Sequence, residues 1–311
     1  MLSRDEARAI VRWPDARLPE LLAATLKVRE AFCGRRVKLC VLLNAQSGIC
    51  PEDCNYCSQS KISAAPVQKY RLLPPERIHQ DAQRAAQAGA RRFCIVTAAR
   101  GPRDRDIEQI SEAVQLIRDD ASTCSLEICT SLGLVSFEQC QALKAAGVDY
   151  VNHNLNTGEA HYAKICSTHT YQDRVQTLQH VQAAGLKTCS GGIIGLGESE
   201  DDLLDLAFAV REMNIESIPV NFLLSIEGTR LQNRPFVSTE HALKVLCLMR
   251  LLNPTKEVRV SAGREKLGAQ QAQALCAANS LFVDGYLTTP GQGHEDVKAW
   301  IVAAGFEVEA V

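Results

Sequence analysis

The sequence predicts an α/β fold, a (β/α)8 TIM-type barrel with an N-terminal helical extension. Short apolar runs rich in β-branched residues alternate with amphipathic stretches of helical period along most of the chain. Eight such strand–helix units follow one another, and strict alternation favours a parallel sheet covered by helices. An open doubly wound sheet is the alternative, because sequence alone does not show whether the sheet closes.

The predicted elements are placed by their apolar period and by the residues that end them. Predicted strands cover residues 39–45, 92–97, 125–130, 149–155, 187–194, 217–224, 258–262 and 280–284, and predicted helices cover residues 76–89, 106–119, 137–146, 171–184, 200–213, 239–252, 265–278 and 294–304. Gly89, Gly147, Gly185 and Gly305 fall where helices should end, since glycine readily takes the left-handed conformation of a C-cap. Catalytic groups of such a barrel belong at the carboxyl ends of its strands and in the loops that follow.

Residues 3–33 precede this alternation and are predicted to form two helices. Ser3 and Glu6 make a capping box for the first helix, and apolar residues recur at helical spacing through the second. We therefore expect a helical extension over residues 1–35 and the barrel over residues 36–311.

Composition narrows the function classes. The 311-residue chain has a net charge of −2, which predicts neither a nucleic-acid partner nor a basic membrane patch. No apolar run approaches the ~18 residues of a membrane span, and no secretory signal is visible at the N-terminus. The 13 cysteines are an odd number in a long chain, which favours reduced thiols serving as metal ligands and predicts a cytoplasmic protein.

A compact cysteine motif follows the first predicted strand. Cys50, Cys54 and Cys57 form the pattern C-x3-C-x2-C within one loop. Three thiolates so close together can hold three irons of a [4Fe–4S] cluster and leave the fourth iron free for a small molecule, whereas an electron-transfer cluster normally has four cysteines. A structural zinc site is the alternative, but such sites are four-coordinate and no fourth Cys or His follows within the loop.

Polar residues also interrupt four of the apolar strands. Cys94, Cys129, Cys189 and Arg259 lie in predicted strands two, three, five and seven. Since alternate strand residues point into a barrel, the four side chains can converge on its axis. Any one strand cysteine is more often a small buried hydrophobe, but a buried arginine cannot lose its charge and needs partners.

The cysteine loop resembles the signature of the radical S-adenosylmethionine (SAM) superfamily, including an aromatic residue, Tyr56, before the last cysteine. The resemblance implies that SAM binds the open iron of a [4Fe–4S] cluster. Reductive cleavage of SAM then gives methionine and a 5′-deoxyadenosyl radical, and the protein supplies geometry and a water-poor site.

Further segments resemble the biotin synthase family, in order, from about residue 39 to residue 291. They are NHNLNT (152–157), TYQDR (170–174), CSGGIIGLGE (189–198), IPVNF (218–222), VRVSAGRE (258–265) and LTTPG (287–291). The resemblance implies a sulfurtransferase that converts dethiobiotin to biotin. It also implies a [2Fe–2S] cluster, held by Cys94, Cys129, Cys189 and Arg259, that donates its sulfide. The other seven cysteines match no ligand position and are interpreted as packing or incidental thiols: Cys33, Cys40, Cys124, Cys140, Cys166, Cys247 and Cys276.

The same resemblance implies contacts to the small molecules. The residues expected to bind SAM are Tyr56, Asn154, Asn156, Arg174 and Ile193, and those expected to bind substrate are Asn154, Asn221, Thr288 and Thr289. This chain has Asn156 where many members of the family carry Asp, which accepts two strong hydrogen bonds from a ribose diol.

Two other hypotheses stay open from sequence. A different radical SAM barrel enzyme, such as a relative of the hydrogenase-cofactor maturation enzymes, would share the cysteine loop but lack the second cluster. An iron–sulfur carrier would not bind SAM. The family resemblance further implies a homodimer and a reductase or flavodoxin-type electron donor.

Overall fold

The computed structural model describes residues 2–289 and 291–309. The strands are β1 (Arg36–Gln46), β2 (Arg92–Thr97), β3 (Glu127–Ser131), β4 (Tyr150–Asn152), β5 (Lys187–Cys189), β6 (Gly192–Ile194), β7 (Ser217–Phe222), β8 (Glu257–Val260), β9 (Ser280–Phe282) and β10 (Glu307–Val308). The α-helices are α1 (Arg4–Val11), α2 (Leu18–Cys33), α3 (Pro75–Gln87), α4 (Asp104–Asp119), α5 (Phe137–Ala146), α6 (Glu159–Tyr162), α7 (Tyr171–Ala183), α8 (Glu200–Glu212), α9 (Thr239–Leu252) and α10 (His294–Ala303), and 3-10 segments cover Asp15–Arg17 and Arg264–Cys276.

The sheet closes into a parallel barrel. Strand β1 pairs with β2 on one side and with β9 on the other, and the remaining strands complete the ring between them. Strands β5 and β6 together take the place of one interrupted barrel strand, because both pair with β7. Strand β10 pairs only with the start of β1 among the described residues. The (β/α)8 prediction is confirmed, and the open doubly wound alternative is wrong.

Several helices begin where the sequence supplies a side-chain cap. Ser136 and Thr170 each accept a hydrogen bond from the backbone N–H three residues later, at the starts of α5 and α7. These caps satisfy amide groups that have no partner within the helix. One prediction differed in kind: the segment predicted as a helix over 265–278 is a 3-10 segment, because Gly268 takes a non-helical conformation within it.

The N-terminal helices pack on the outside of the barrel. Ala7 and Ile10 of α1 and Leu21 of α2 belong to the same hydrophobic core as the buried faces of α8 and α9. Ion pairs reinforce the contact, since Arg8 lies 3.0 Å from Glu200. The extension therefore covers one side of the barrel and leaves the mouth open.

No helix within the described ranges, which leave out residues 1, 290, 310 and 311, is long and apolar enough to cross a membrane.

The layer between the barrel and its helices should carry much of the stability. Phe93 of β2 is fully buried in this layer, whereas Phe32 of α2 is 57 % exposed. We expect Phe93→Ala to lower the free energy of unfolding by about 3–5 kcal/mol, because a buried ring is lost and a cavity remains. Urea denaturation measures the effect. Phe32→Ala is the matched control and should leave the midpoint nearly unchanged; equal effects of the two substitutions would contradict the packing described.

Candidate active site

A cavity of about 290 Å³ lies at the mouth of the barrel, beneath the cysteine loop. Cys50 and Cys57 of that loop line it from above, and Cys94 and Cys129 line it from β2 and β3. The two thiol sets that the sequence predicts therefore face one space. A molecule in this cavity would lie between them.

The cysteine loop is held in place by the segment before α7. The Asp53 carboxylate accepts hydrogen bonds from the backbone N–H groups of Ser167 (2.9 Å) and Thr168 (3.2 Å), and the backbone N–H of Asn55 donates to the carbonyl of Ile165. Burial raises the pKa of Cys50 to about 11, so this thiol is protonated at neutral pH unless a metal displaces its proton. Three preplaced thiols with this chemistry fit a cluster.

Cys166, interpreted from sequence as a packing or incidental thiol, lies beside the cysteine loop. Its sulfur is 3.8 Å from that of Cys54 and 3.2 Å from Nδ1 of His169. These three residues are near enough to hold a metal ion, but Arg174 argues against a separate site there. The guanidinium can only donate, so Nε2 of His169, 2.8 Å away, must accept its hydrogen bond. The proton of a neutral His169 then occupies Nδ1, the nitrogen nearest to Cys166.

The residues expected to bind SAM gather around the cavity. Asn156 has a φ of 71°, and its amide donates to the hydroxyl of Tyr56 at 2.8 Å. Ile193 of β6 presents an apolar side chain to the same space, and Arg174 reaches it from the first turn of α7. The structure thus brings together the set that sequence reasoning named.

Arg174 is already anchored by the protein. Its Nε donates to the hydroxyl of Tyr162, one terminal nitrogen donates to the carbonyl of Asn154 at 2.7 Å, and the other donates to His169. A guanidinium has five N–H groups, so two remain for a carboxylate. The contacts fix the position of Arg174 before any ligand arrives.

Two residues expected to bind substrate, Asn221 and Asn154, also form hydrogen bonds with the protein backbone. Asn221 is buried, and its amide joins the carbonyl of Gly192 to the backbone N–H of Ala262. Asn154 accepts a hydrogen bond from the backbone N–H of Gly191 at 3.1 Å. Both side chains line the cavity, and each keeps hydrogen-bonding capacity for a ligand because an amide group has two donors and two acceptor lone pairs.

The last expected contacts lie in the loop after β9. The hydroxyl of Thr288 is 2.8 Å from that of Ser58 in the cysteine loop, so this segment closes over the mouth. The backbone N–H of Thr289 donates to the carbonyl of Tyr286 within a turn and is not free for a carboxylate. Pro290, which follows in the matching segment, lies outside the described residues.

Deeper in the barrel, the side chains of Cys94, Cys129, Cys189 and Arg259 lie close together, and we call this space the axial chamber. The three cysteines belong to one buried cluster, and Cys94 lies directly opposite Cys129 in the sheet register. A terminal nitrogen of Arg259 is 3.9 Å from the sulfur of Cys189. The hydrogen bond from Cys129 and the charge of Arg259 lower the pKa of Cys189 to about 6, which favours the thiolate that metals bind.

An ion-pair lattice closes the barrel beneath the axial chamber. Arg92 is fully buried and contacts Glu127 at 2.7 Å and Glu257 at 2.8 Å, while Lys38 contacts Glu127 at 2.9 Å. Glu257 also pairs with Arg259. Burial alone would raise the pKa of Glu257, but the charges of Arg92 and Arg259 outweigh it and hold that pKa well below its usual range.

Sequence reasoning missed this lattice, although the sequence carries its signal. Lys38, Arg92, Glu127 and Glu257 each stand two residues before an inward-facing Cys40, Cys94, Cys129 or Arg259. Alternation along a strand puts both members of such a pair on the same face. Charged residues that begin apolar strands with this parity could have been assigned to the floor of the barrel.

Comparison with known proteins defines the class first. Residues 46–210, over half of the chain, match the family model of the Radical SAM superfamily, and residues 219–307 match the Biotin and Thiamin Synthesis associated domain. Membership of this superfamily implies a [4Fe–4S] cluster and SAM, and it opposes the zinc and carrier alternatives.

The nearer relatives are more specific. The chain is 46% identical over 308 residues to biotin synthase of Rhodopirellula baltica, covering 99% of this chain and 85% of the relative. It is 48% identical over 312 residues to biotin synthase of Thermus thermophilus, covering 99% and 94%. The chain belongs to the biotin synthase family.

Solved structures show how widely the fold is shared. Methylornithine synthase matches with a TM-score of 0.85 at 19% identity, covering 99% of this chain and 94% of that one. A maturase of the [FeFe]-hydrogenase matches with a TM-score of 0.83 at 15% identity, covering 98% and 71%. At such identities the likeness shows the barrel fold alone.

The lattice beneath the axial chamber should be essential to stability. We expect Arg92→Met to lower the free energy of unfolding by about 3–5 kcal/mol, because it removes the fully buried guanidinium that pairs with both Glu127 and Glu257 and leaves Lys38 as the cation between them. Urea denaturation followed by circular dichroism measures the loss. Arg103→Met, which breaks an exposed pair with Asp106, is the control and should change nothing measurable. An unchanged midpoint for Arg92→Met would show that the lattice contributes no net stability.

Proposed function

We propose that this chain is a sulfurtransferase that converts dethiobiotin to biotin, with Cys50, Cys54 and Cys57 holding a [4Fe–4S] cluster. The observation that carries the proposal is that one cavity is lined by members of both thiol sets, Cys50 and Cys57 of the loop and Cys94 and Cys129 of the strands. When bound, the iron–sulfur clusters and SAM supply a 5′-deoxyadenosyl radical from one side of that cavity and a sulfur atom from the other. A substrate placed between them meets both reagents without leaving the site, which is catalysis by proximity.

The protein's own residues would bind and orient the small molecules. Arg174, fixed by its three contacts, offers two N–H groups to the SAM carboxylate, and Tyr56, Asn154, Asn156 and Ile193 surround the rest of SAM. Asn154, Asn221 and Thr288 with Thr289 surround dethiobiotin. Since the N–H of Thr289 is used within its turn, its part in that contact falls to other atoms of the segment.

We propose that Cys94, Cys129, Cys189 and Arg259 hold a [2Fe–2S] cluster as the sulfur source. Three thiols on separate strands share one buried space, and hydrogen bonding with Cys129 lowers the pKa of both Cys94 and Cys189. Arg259 is oriented by Glu257 and by Ser217, whose hydroxyl accepts a hydrogen bond at 2.9 Å. Thiolates are the usual protein ligands of iron–sulfur clusters, so this donor set fits such a cluster.

We also propose a barrel domain over residues 36–311 with an extension over 1–35, from the residue pattern, and a cytoplasmic location, from the cysteine content. The family resemblance supports a homodimer and a reductase or flavodoxin-type electron donor.

Anaerobic reconstitution with iron, sulfide, reductant, SAM and dethiobiotin tests the function. We expect about six irons per chain, four in one cluster and two in the other, with formation of biotin, methionine and 5′-deoxyadenosine. Cys189→Ala should hold much less of the two-iron cluster in Mössbauer spectra and make much less biotin, while SAM is still cleaved. Cys247→Ala, which removes a buried thiol far from the cavity, is the matched control. SAM cleavage without biotin in the wild-type protein would disprove the substrate assignment.

Asn156 offers a test of the SAM site. Asn156→Asp should bind SAM about fivefold more tightly, because a charged acceptor strengthens a hydrogen bond by about 1 kcal/mol. Equilibrium dialysis with labelled SAM on the cluster-loaded protein measures the affinity. Asn214→Asp is the control, since Asn214 is exposed and also has a positive φ. Equal SAM affinities of wild type and Asn156→Asp would place the ribose elsewhere.

A further inference from the structure

A fourth thiol lies in the axial chamber. Cys40 of β1 has no exposed surface and packs in the same buried cluster as Cys94, Cys129 and Cys189. Sequence reasoning had interpreted it as a packing residue because it matches no expected ligand position. The structure gives it a different environment from that of Cys140 or Cys247, which lie in the outer hydrophobic cores.

Cys40 and Arg259 face each other across one strand. In the sheet register, Cys40 of β1 lies opposite Phe282 of β9, and Arg259 of β8 lies opposite Ser280 of the same strand. Ser280 and Phe282 are two residues apart and therefore share a face of β9. The side chains of Cys40 and Arg259 thus approach the same part of the chamber from opposite sides of β9.

Ser280 joins these two side chains by hydrogen bonds. Nε of Arg259 is 3.2 Å from Oγ of Ser280, which is 3.3 Å from the sulfur of Cys40. The guanidinium can only donate, so the hydroxyl oxygen of Ser280 accepts from Arg259. The same hydroxyl is hydrogen-bonded to the sulfur of Cys40, with either atom able to donate, and this contact holds the side chain of Cys40 beside Arg259.

The donor set of the chamber is therefore larger than one cluster requires. Iron–sulfur clusters of the [2Fe–2S] type are ordinarily held by four cysteine thiolates, and four thiols are present here. Arg259, in turn, has partners other than a metal, because its second terminal nitrogen contacts Ser217 at 2.9 Å and Glu257 at 2.5 Å. It can remain a paired cation in the chamber without binding iron.

We propose that Cys40 is a fourth thiol ligand for the cluster of the axial chamber, exchangeable with Arg259. The inference rests on the proposed function, which puts that cluster in the chamber. When Cys40 replaces Arg259, an Fe–S bond forms as the Fe–N bond breaks, the thiol proton passes to the released guanidine, which becomes guanidinium, and no electron is gained or lost. With Arg259 bound instead, Cys40 stays a thiol hydrogen-bonded to Ser280.

The test compares Arg259→Ala with the double substitution Cys40→Ser/Arg259→Ala in full-length, anaerobically reconstituted protein. We expect Arg259→Ala to keep the two-iron Mössbauer signal, with resonance Raman bands of all-thiolate ligation. The double variant should hold about tenfold less of that cluster, since only three ligands, Cys94, Cys129 and Cys189, then remain. Cys247→Ser/Arg259→Ala is the matched control and should behave like Arg259→Ala alone.

A second pair of variants keeps the test valid if Arg259→Ala does not fold. Cys129→Ala should keep part of its two-iron cluster through Cys40, and Cys40→Ser/Cys129→Ala should lose it. Equal cluster content within both pairs would overturn the role of Cys40. Wild-type protein that contains only the four-iron cluster would instead overturn the proposed function, so the two failures are distinguishable.

Discussion

The pairing of Glu257 with both Arg92 and Arg259 is the interaction on which the barrel interior depends. Two guanidinium groups and a carboxylate, nearly without solvent contact, meet at the base of the sheet. Each would be costly to bury alone, and together they satisfy one another's charge and hydrogen bonds. Because Arg259 is held from this side, its remaining nitrogen points toward Cys189, and the axial chamber acquires a polar wall.

The same lattice gives the barrel a polarity along its axis. The lower end carries ion pairs and the ring of Tyr150, over which Arg92 lies at 3.8 Å. Thiols occupy the middle, and the mouth carries amides, an apolar residue and the cysteine loop. Charge is therefore compensated at the closed end, and the open end is left for small molecules. This ordering separates the part of the interior that stabilises the fold from the part that binds ligands.

Distantly related proteins share the barrel fold. The order of ion pairs, thiols and amides along its axis, in contrast, depends on particular side chains of this chain. Structures at 15% and 19% identity superimpose over nearly the whole chain, so the path of the backbone does not identify the chemistry. The second thiol set is what the family resemblance adds to the shared cysteine loop. It occupies interior positions, which in barrels of this type are mostly filled by branched aliphatic side chains, and it lies directly above the ion-pair lattice.

Several features of the molecule were determined by the sequence. Alternating periods of strand and helix predicted eight units, and the spacing of Cys50, Cys54 and Cys57 predicted a three-ligand metal loop, because both are local properties of the chain. The parity of Cys94, Cys129, Cys189 and Arg259 predicted that they point inward. The segments that resemble the biotin synthase family then identified the residues expected around the cavity, and the structure brings those residues together.

Other features were decided only by the tertiary structure, since they join residues far apart in the chain. Closure of the sheet depends on β1 meeting β9, which no local pattern reveals. The positions of Cys40 beside Arg259 and of Cys166 beside Cys54 depend on strand register and loop packing, so single thiols that looked alike in sequence fall into different environments. The lattice of Lys38, Arg92, Glu127 and Glu257 arises for the same reason: pairing of charges across a barrel is set by which strands become neighbours.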